Sequence, residues 1–80
     1  MMTAVEDRIY RVVSDIMGVP VGEINDESSP DTIAAWESLS HISLVLGLEA
    51  EFGISLDPED VLEMLSVGLI KTILSEKVAA

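Results

Sequence analysis

The chain has no cysteine, so no thiol nucleophile is available, and hydroxyls are the side chains left to bear an ester or take part in a serine-type triad with the one histidine. Ser38 stands out among them for its company: Glu37 precedes it and His41 follows three residues later. Serine, histidine and carboxylate are the parts of a hydrolytic triad, in which imidazole takes the hydroxyl proton and the acid orients the imidazole. A triad also needs an oxyanion hole and a turn that presents the serine, and no G-x-S-x-G elbow is present. A helical wheel sets His41 beside Leu44, Val45 and Leu48, where a packing histidine bonded to the loop is the better account. Two roles remain for Ser38: an N-cap of the helix it opens, or an exposed hydroxyl that is itself modified. A second cluster, Asn25, Asp26, Glu27 and Asp31, offers oxygen ligands for calcium. It lacks the glycine at the sixth position and the glutamate at the twelfth that an EF-hand requires.

Four helices have to position these groups. Thr3 and Glu6 have the form of a capping box, and Ile9, Val12, Val13 and Ile16 recur at i, i+3, i+4, i+7, which predicts a helix over about residues 4–17. Gly18 and Pro20 stop it. Residues 18–36 carry two prolines, two glycines and a run of Asn, Asp and Ser, and read as a long connection tied to the core by Val19, Val21, Ile24 and Ile33. Ser29-Pro30 allows a single turn near residues 30–34. The stretch Trp36–Phe52, WESLSHISLVLGLEAEF, then predicts the central helix. Leu44, Val45, Leu48 and Phe52 fall on one face, while Leu39, Ile42 and Leu46 form a second apolar stripe well round the cylinder, with Ser38 between them. Gly53 ends this helix, and Asp57-Pro58-Glu59-Asp60 opens a short one over about 58–64. Ser66 caps a last helix, about 67–78, with Val67, Ile70, Ile73 and Leu74 as its stripe. No stretch alternates long enough to predict a strand. The expected fold is all-α: a small bundle of three main helices plus one short helix, with a long loop between the first and second, in a single domain over residues 1–80.

Charge narrows the partners. Fifteen Asp and Glu face four Lys and Arg, a formal net charge of −11, and residues 12–70 contain no basic residue at all. Nucleic acid and anionic membrane surfaces, which are bound through Lys and Arg, are excluded; basic protein partners are favoured. No signal-peptide pattern opens the chain and no apolar run reaches the roughly 20 residues of a membrane span. A cytoplasmic monomer is expected.

At Glu37-Ser38-Leu39 a resemblance enters. The triplet resembles the Asp-Ser-Leu motif of acyl carrier proteins, whose serine is esterified by 4′-phosphopantetheine. The run Leu44-Val45-Leu46-Gly47-Leu48-Glu49-Ala50-Glu51-Phe52-Gly53 is similar to the leucine-rich, Glu-rich, Phe-ending second helix of that family, and the order of helices and loop matches over essentially the whole chain. The resemblance implies a carrier and not an enzyme. It holds acyl or aminoacyl intermediates as thioesters on an arm attached to Ser38 and presents them to partner enzymes in fatty-acid, polyketide or related biosynthesis. The sulfur that the sequence lacks would come with the prosthetic group. Glu37 and Leu39 flank the attachment site. Leu39, Ile42 and Leu46, with Glu49, Glu59, Asp60 and Glu63, would form the partner surface, and Leu48, Ile54, Val61, Met64 and Ile70 would line an acyl cleft. Implied partners are a phosphopantetheinyl transferase, a loading ligase, and downstream synthase or transferase enzymes with basic docking patches. Glu37 in place of aspartate, Ser43 where another acid is common, and Trp36 and His41 depart from the fatty-acid subgroup and look more like discrete carriers of specialised pathways. The competing expectation is a small acidic interaction module without a prosthetic group, which shares the fold and differs in whether Ser38 is modified.

Overall fold

A computed structural model describes residues 4–79; the Thr3 cap lies outside them. Helix α1 spans Ala4–Met17, α2 Ser38–Phe52, α3 Pro58–Glu63 and α4 Val67–Ala79, with a short 3-10 turn at Val21–Glu23 and no strand among the described residues. The fold is the expected all-α bundle, with its long loop between α1 and α2. The 3-10 turn was not anticipated.

One core joins the helices: Ile9, Tyr10, Val13 and Met17 of α1, Leu44, Val45 and Leu48 of α2, Met64 beside α3, and Val67, Ile70 and Leu74 of α4 are all buried. Val12 and Ile16, expected in the α1 stripe with Ile9 and Val13, are half-buried. They lie across Gly47 of α2, where an added Cβ would sit 3.2 Å from Val12 Cγ1. A side chain there would hold the two helices apart, so the glycine sets their approach.

The loop is tied down at both ends of its span. Ile24, Ile33 and Trp36 are buried, whereas Val21, expected as a fourth anchor, is exposed. Ser29 opens the single turn: its Oγ accepts the Asp31 N–H (3.2 Å) and its carbonyl accepts the Ile33 N–H (2.8 Å). Further back, the carbonyls of Ser28 and Asp26 accept the N–H groups of Val67 and Gly68, each at 2.9 Å. These are first-turn donors of α4 that the helix cannot satisfy internally, so the loop itself caps α4. Asp26 adds a side-chain hub, taking the Tyr10 hydroxyl proton in a hydrogen bond and pairing with Lys71 Nζ at 2.8 Å. Lys71 also reaches Glu6 at 2.6 Å, so α1, the loop and α4 meet at one ammonium.

Helix α2 begins two residues later than the sequence pattern indicated. Glu37 is its N-cap, in extended conformation (φ −120°, ψ −175°), and Trp36 belongs to the loop. The reason is burial: the indole is sealed in the core, and the backbone turns extended at Glu37 instead of continuing the α2 axis. At the other end Gly53 adopts φ 64°, and its N–H returns to the Glu49 carbonyl. Asp57 and Asp60 form a capping box around Pro58 at the start of α3. Lys77 lies in the last turn of α4, and both Lys71 and Lys77 reach sideways to acids of other elements.

Candidate functional site

Ser38 is the first residue of α2 and its side chain is exposed. The N-cap ahead of it, Glu37, makes no side-chain hydrogen bond to the helix, so no side chain occupies the first-turn N–H groups of α2. A helix start left open in this way favours a negatively charged oxygen-rich group. Beside it opens a groove of about 520 Å³ lined by Pro30, Trp36, Glu37, Ser38, His41, Ile42, Val61, Leu62, Met64 and Leu65. Its wall is mostly apolar, with Glu37 and His41 the titratable members.

His41 stands at the back of this groove and is half-buried. Its Nδ1 accepts the Trp36 Nε1–H at 3.0 Å, and its Nε2 lies 3.0 Å from the Val61 carbonyl oxygen. An indole nitrogen only donates and a carbonyl only accepts. The imidazole is therefore the neutral Nε2–H tautomer, with both nitrogens in use. The two rings lie nearly parallel, with centroids 6.2 Å apart. This is the packing histidine bonded to the loop that the wheel predicted, and it has no lone pair left to take a proton from Ser38.

Downstream along α2, Leu39, Ile42 and Leu46 are 72%, 55% and 60% exposed. The second stripe thus faces solvent. Leu62 and Leu65 next to it, 75% and 62% exposed, extend the apolar surface onto α3 and the turn that follows it. Sequence reasoning did not assign these two to the surface. The available signal was their i, i+3 spacing beside the Val61 and Met64 pair, which gives this short segment more apolar residues than a core face needs.

The acids expected around this stripe divide. Glu37, Glu59 and Glu63 are exposed. Glu49 turns inward, its Oε2 accepting the Leu56 N–H at 2.8 Å and holding the α2–α3 connection. Glu51 is drawn to Arg8 at 2.7 Å. Asp60 pairs with Lys77 at 3.1 Å; this hydrogen bond, aided by the Asp57 N–H, holds the Asp60 carboxyl below the usual carboxylate range. Of the residues expected to line an acyl cleft, Val61 and Met64 face the groove. Leu48 and Ile70 are sealed in the core, and Ile54 packs against it half-buried.

No group of three or more His, Cys, Asp or Glu among the described residues is placed to hold a metal ion, and no helix among them is long and apolar enough to cross a membrane. Of the loop residues considered for calcium, Asp26 is the hub and Asn25 accepts the Glu27 N–H through its side-chain oxygen at 2.8 Å.

Residues 7–74 match the family model for the phosphopantetheine attachment site. The chain is also similar to proteins named acyl carrier protein. That of Nitratidesulfovibrio vulgaris strain Miyazaki F is 33% identical over 64 residues, 80% of this chain and 84% of that protein. That of strain DP4 is 30% identical over the same shares of each chain.

Proposed function

Because the chain belongs to the phosphopantetheine-attachment family of acyl carrier proteins, a family of carriers and not of catalysts whose prosthetic group is 4′-phosphopantetheine, we propose that Ser38 is the residue that bears the arm. The observation that carries this reading is the position of an exposed hydroxyl at the uncapped start of α2, on the lip of an apolar groove. The phosphodiester formed at Ser38 Oγ would sit against the open first-turn N–H groups, which the helix dipole makes favourable for phosphate. Glu37 and Leu39 flank the site for recognition by the phosphopantetheinyl transferase that draws the group from coenzyme A.

When bound, the arm supplies a thiol that holds acyl or aminoacyl groups as thioesters, as required of a carrier in fatty-acid, polyketide or related biosynthesis in the cytoplasm. The chain's own residues do the docking. Leu39, Ile42 and Leu46 offer an apolar strip, and Glu37, Glu59 and Glu63 offer charge to the basic patches of loading ligases, synthases and transferases. The groove toward Val61 and Met64 gives an aliphatic cargo its nearest shelter, with Leu48, Ile54 and Ile70 lying deeper should the helices part. The trio Trp36, Glu37 and His41 favours a specialised pathway over housekeeping fatty-acid synthesis.

Intact-mass spectrometry after incubation with coenzyme A, magnesium and a promiscuous phosphopantetheinyl transferase tests the assignment. The expected result is one phosphopantetheine added to wild type and none to Ser38→Ala. No increment on folded wild type would leave the acidic interaction module as the better reading, and an increment on Ser38→Ala would move the site.

A further inference from the structure

Ser38 is placed by its neighbours, since Glu37 provides no side-chain cap and the serine itself is exposed. One turn further along, His41 is bonded in three directions. Its backbone N–H closes the first turn on the Glu37 carbonyl at 2.8 Å. Its Nδ1 takes the indole N–H of Trp36, two residues ahead of Ser38. Its Nε2–H crosses to α3 at the Val61 carbonyl. The last residues of the loop, the first turn of α2 and the α3 wall of the groove are thereby fixed to one ring.

We infer that His41 is a positioning residue for modification at Ser38: its neutral imidazole, clamped between Trp36 and Val61, holds the start of α2 in the orientation that presents the serine hydroxyl. This rests on Ser38 being the attachment site. It separates presentation from docking, because Leu39, Ile42 and Leu46 are more than half exposed whereas the imidazole is half-buried with both ring nitrogens bonded within the fold. Loosening the clamp therefore lowers the rate of the bound complex without weakening encounter with the transferase. The loop residue Trp36 and the helix residue His41 act as one unit, each the other's hydrogen-bond partner.

The test uses the whole chain, coenzyme A and a promiscuous transferase, with kcat and KM followed by intact mass, and circular dichroism confirming that each variant is folded. His41→Leu removes both side-chain bonds. His41→Asn returns an acceptor oxygen where Nδ1 stood and restores the Trp36 bond alone. Expected are a fall in kcat of roughly tenfold for His41→Leu with KM within about twofold, substantial recovery of kcat in His41→Asn, and a fall in Trp36→Phe like that of His41→Leu. Nitrogen NMR of unmodified wild type should show the neutral Nε2–H tautomer. The inference is overturned if folded His41→Leu keeps the wild-type kcat, if its loss lies in KM, if folded His41→Asn recovers nothing, or if the NMR shows Nδ1 protonated. Failure of wild type to accept the group would instead remove the carrier reading, while the NMR result would still decide the clamp.

Discussion

Leu44 and Leu46 lie two residues apart on α2, yet they should fail in different assays when each is cut to alanine. Leu44 is completely buried, and truncating a sealed leucine costs the transfer energy of the lost methyls plus the cavity left behind, about 3 kcal/mol. Leu46 is 60% exposed. If complete burial of a leucine is worth about 2 kcal/mol, folding has gained about 0.8 kcal/mol there and a docking partner has about 1.2 kcal/mol still to gain. Alanine is an excellent helix former, so neither change carries a propensity penalty. Urea denaturation followed by circular dichroism should therefore show a large loss for Leu44→Ala and less than about 1 kcal/mol for Leu46→Ala. Transferase kinetics should reverse the order, with kcat/KM falling about sevenfold for Leu46→Ala and little for Leu44→Ala while it remains folded. The reasoning is refuted if Leu46→Ala destabilises as much as Leu44→Ala, or if it leaves the kinetics unchanged.

Two further outcomes follow from the fold. Gly53→Ala should cost about 1 kcal/mol in urea denaturation; φ there is 64° and an added Cβ meets nothing within 4 Å, so the cost is conformational and not steric. The Asp26 carboxyl is held below its ordinary value, first by the Lys71 hydrogen bond and then by the Tyr10 hydroxyl, and Lys71 is held above its ordinary value by Asp26 and Glu6. The Asp26 contribution is thus present above the ordinary carboxylate range and lost as pH falls through its folded value. The Lys71 contribution is complete below the ordinary lysine value of about 10.5 and lost as pH climbs beyond it. The difference in Tm between wild type and Asp26→Asn should stay level from about pH 5 to 9 and shrink below about pH 4; a difference unchanged down to about pH 2.5 would contradict the hub.

What the sequence disclosed follows the range of the interaction. The two faces of α2, the Gly53 stop and the Asp57-Pro58 start are set by angles and dihedrals within a few residues, so reading the chain locally was enough. Trp36 sits at the join of the loop and α2: the helical wheel extends back to it, a tryptophan there also reads as a loop anchor, and the core that buries the indole decides for the loop. Glu49 and Asp60 carry charges that belong on a surface, but their use is decided by an N–H or an ammonium brought near by the fold. Asp26 is the extreme case, since its partner Lys71 is 45 residues away. The serine and its apolar strip were legible, whereas the clamp behind them depends on a carbonyl 20 residues from His41.

The chain's two lysines have a bearing on what the protein is proposed to carry. Lys71 is gripped by Glu6 and Asp26, and Lys77 by Asp57 and Asp60; both are pushed above their ordinary values by those carboxylates. An ammonium has no free electron pair, so neither attacks an activated carbonyl, and no cysteine is present to exchange with one. The salt bridges that hold α4 in place therefore also keep the two side-chain amines in the form that does not attack the thioester cargo proposed for the arm.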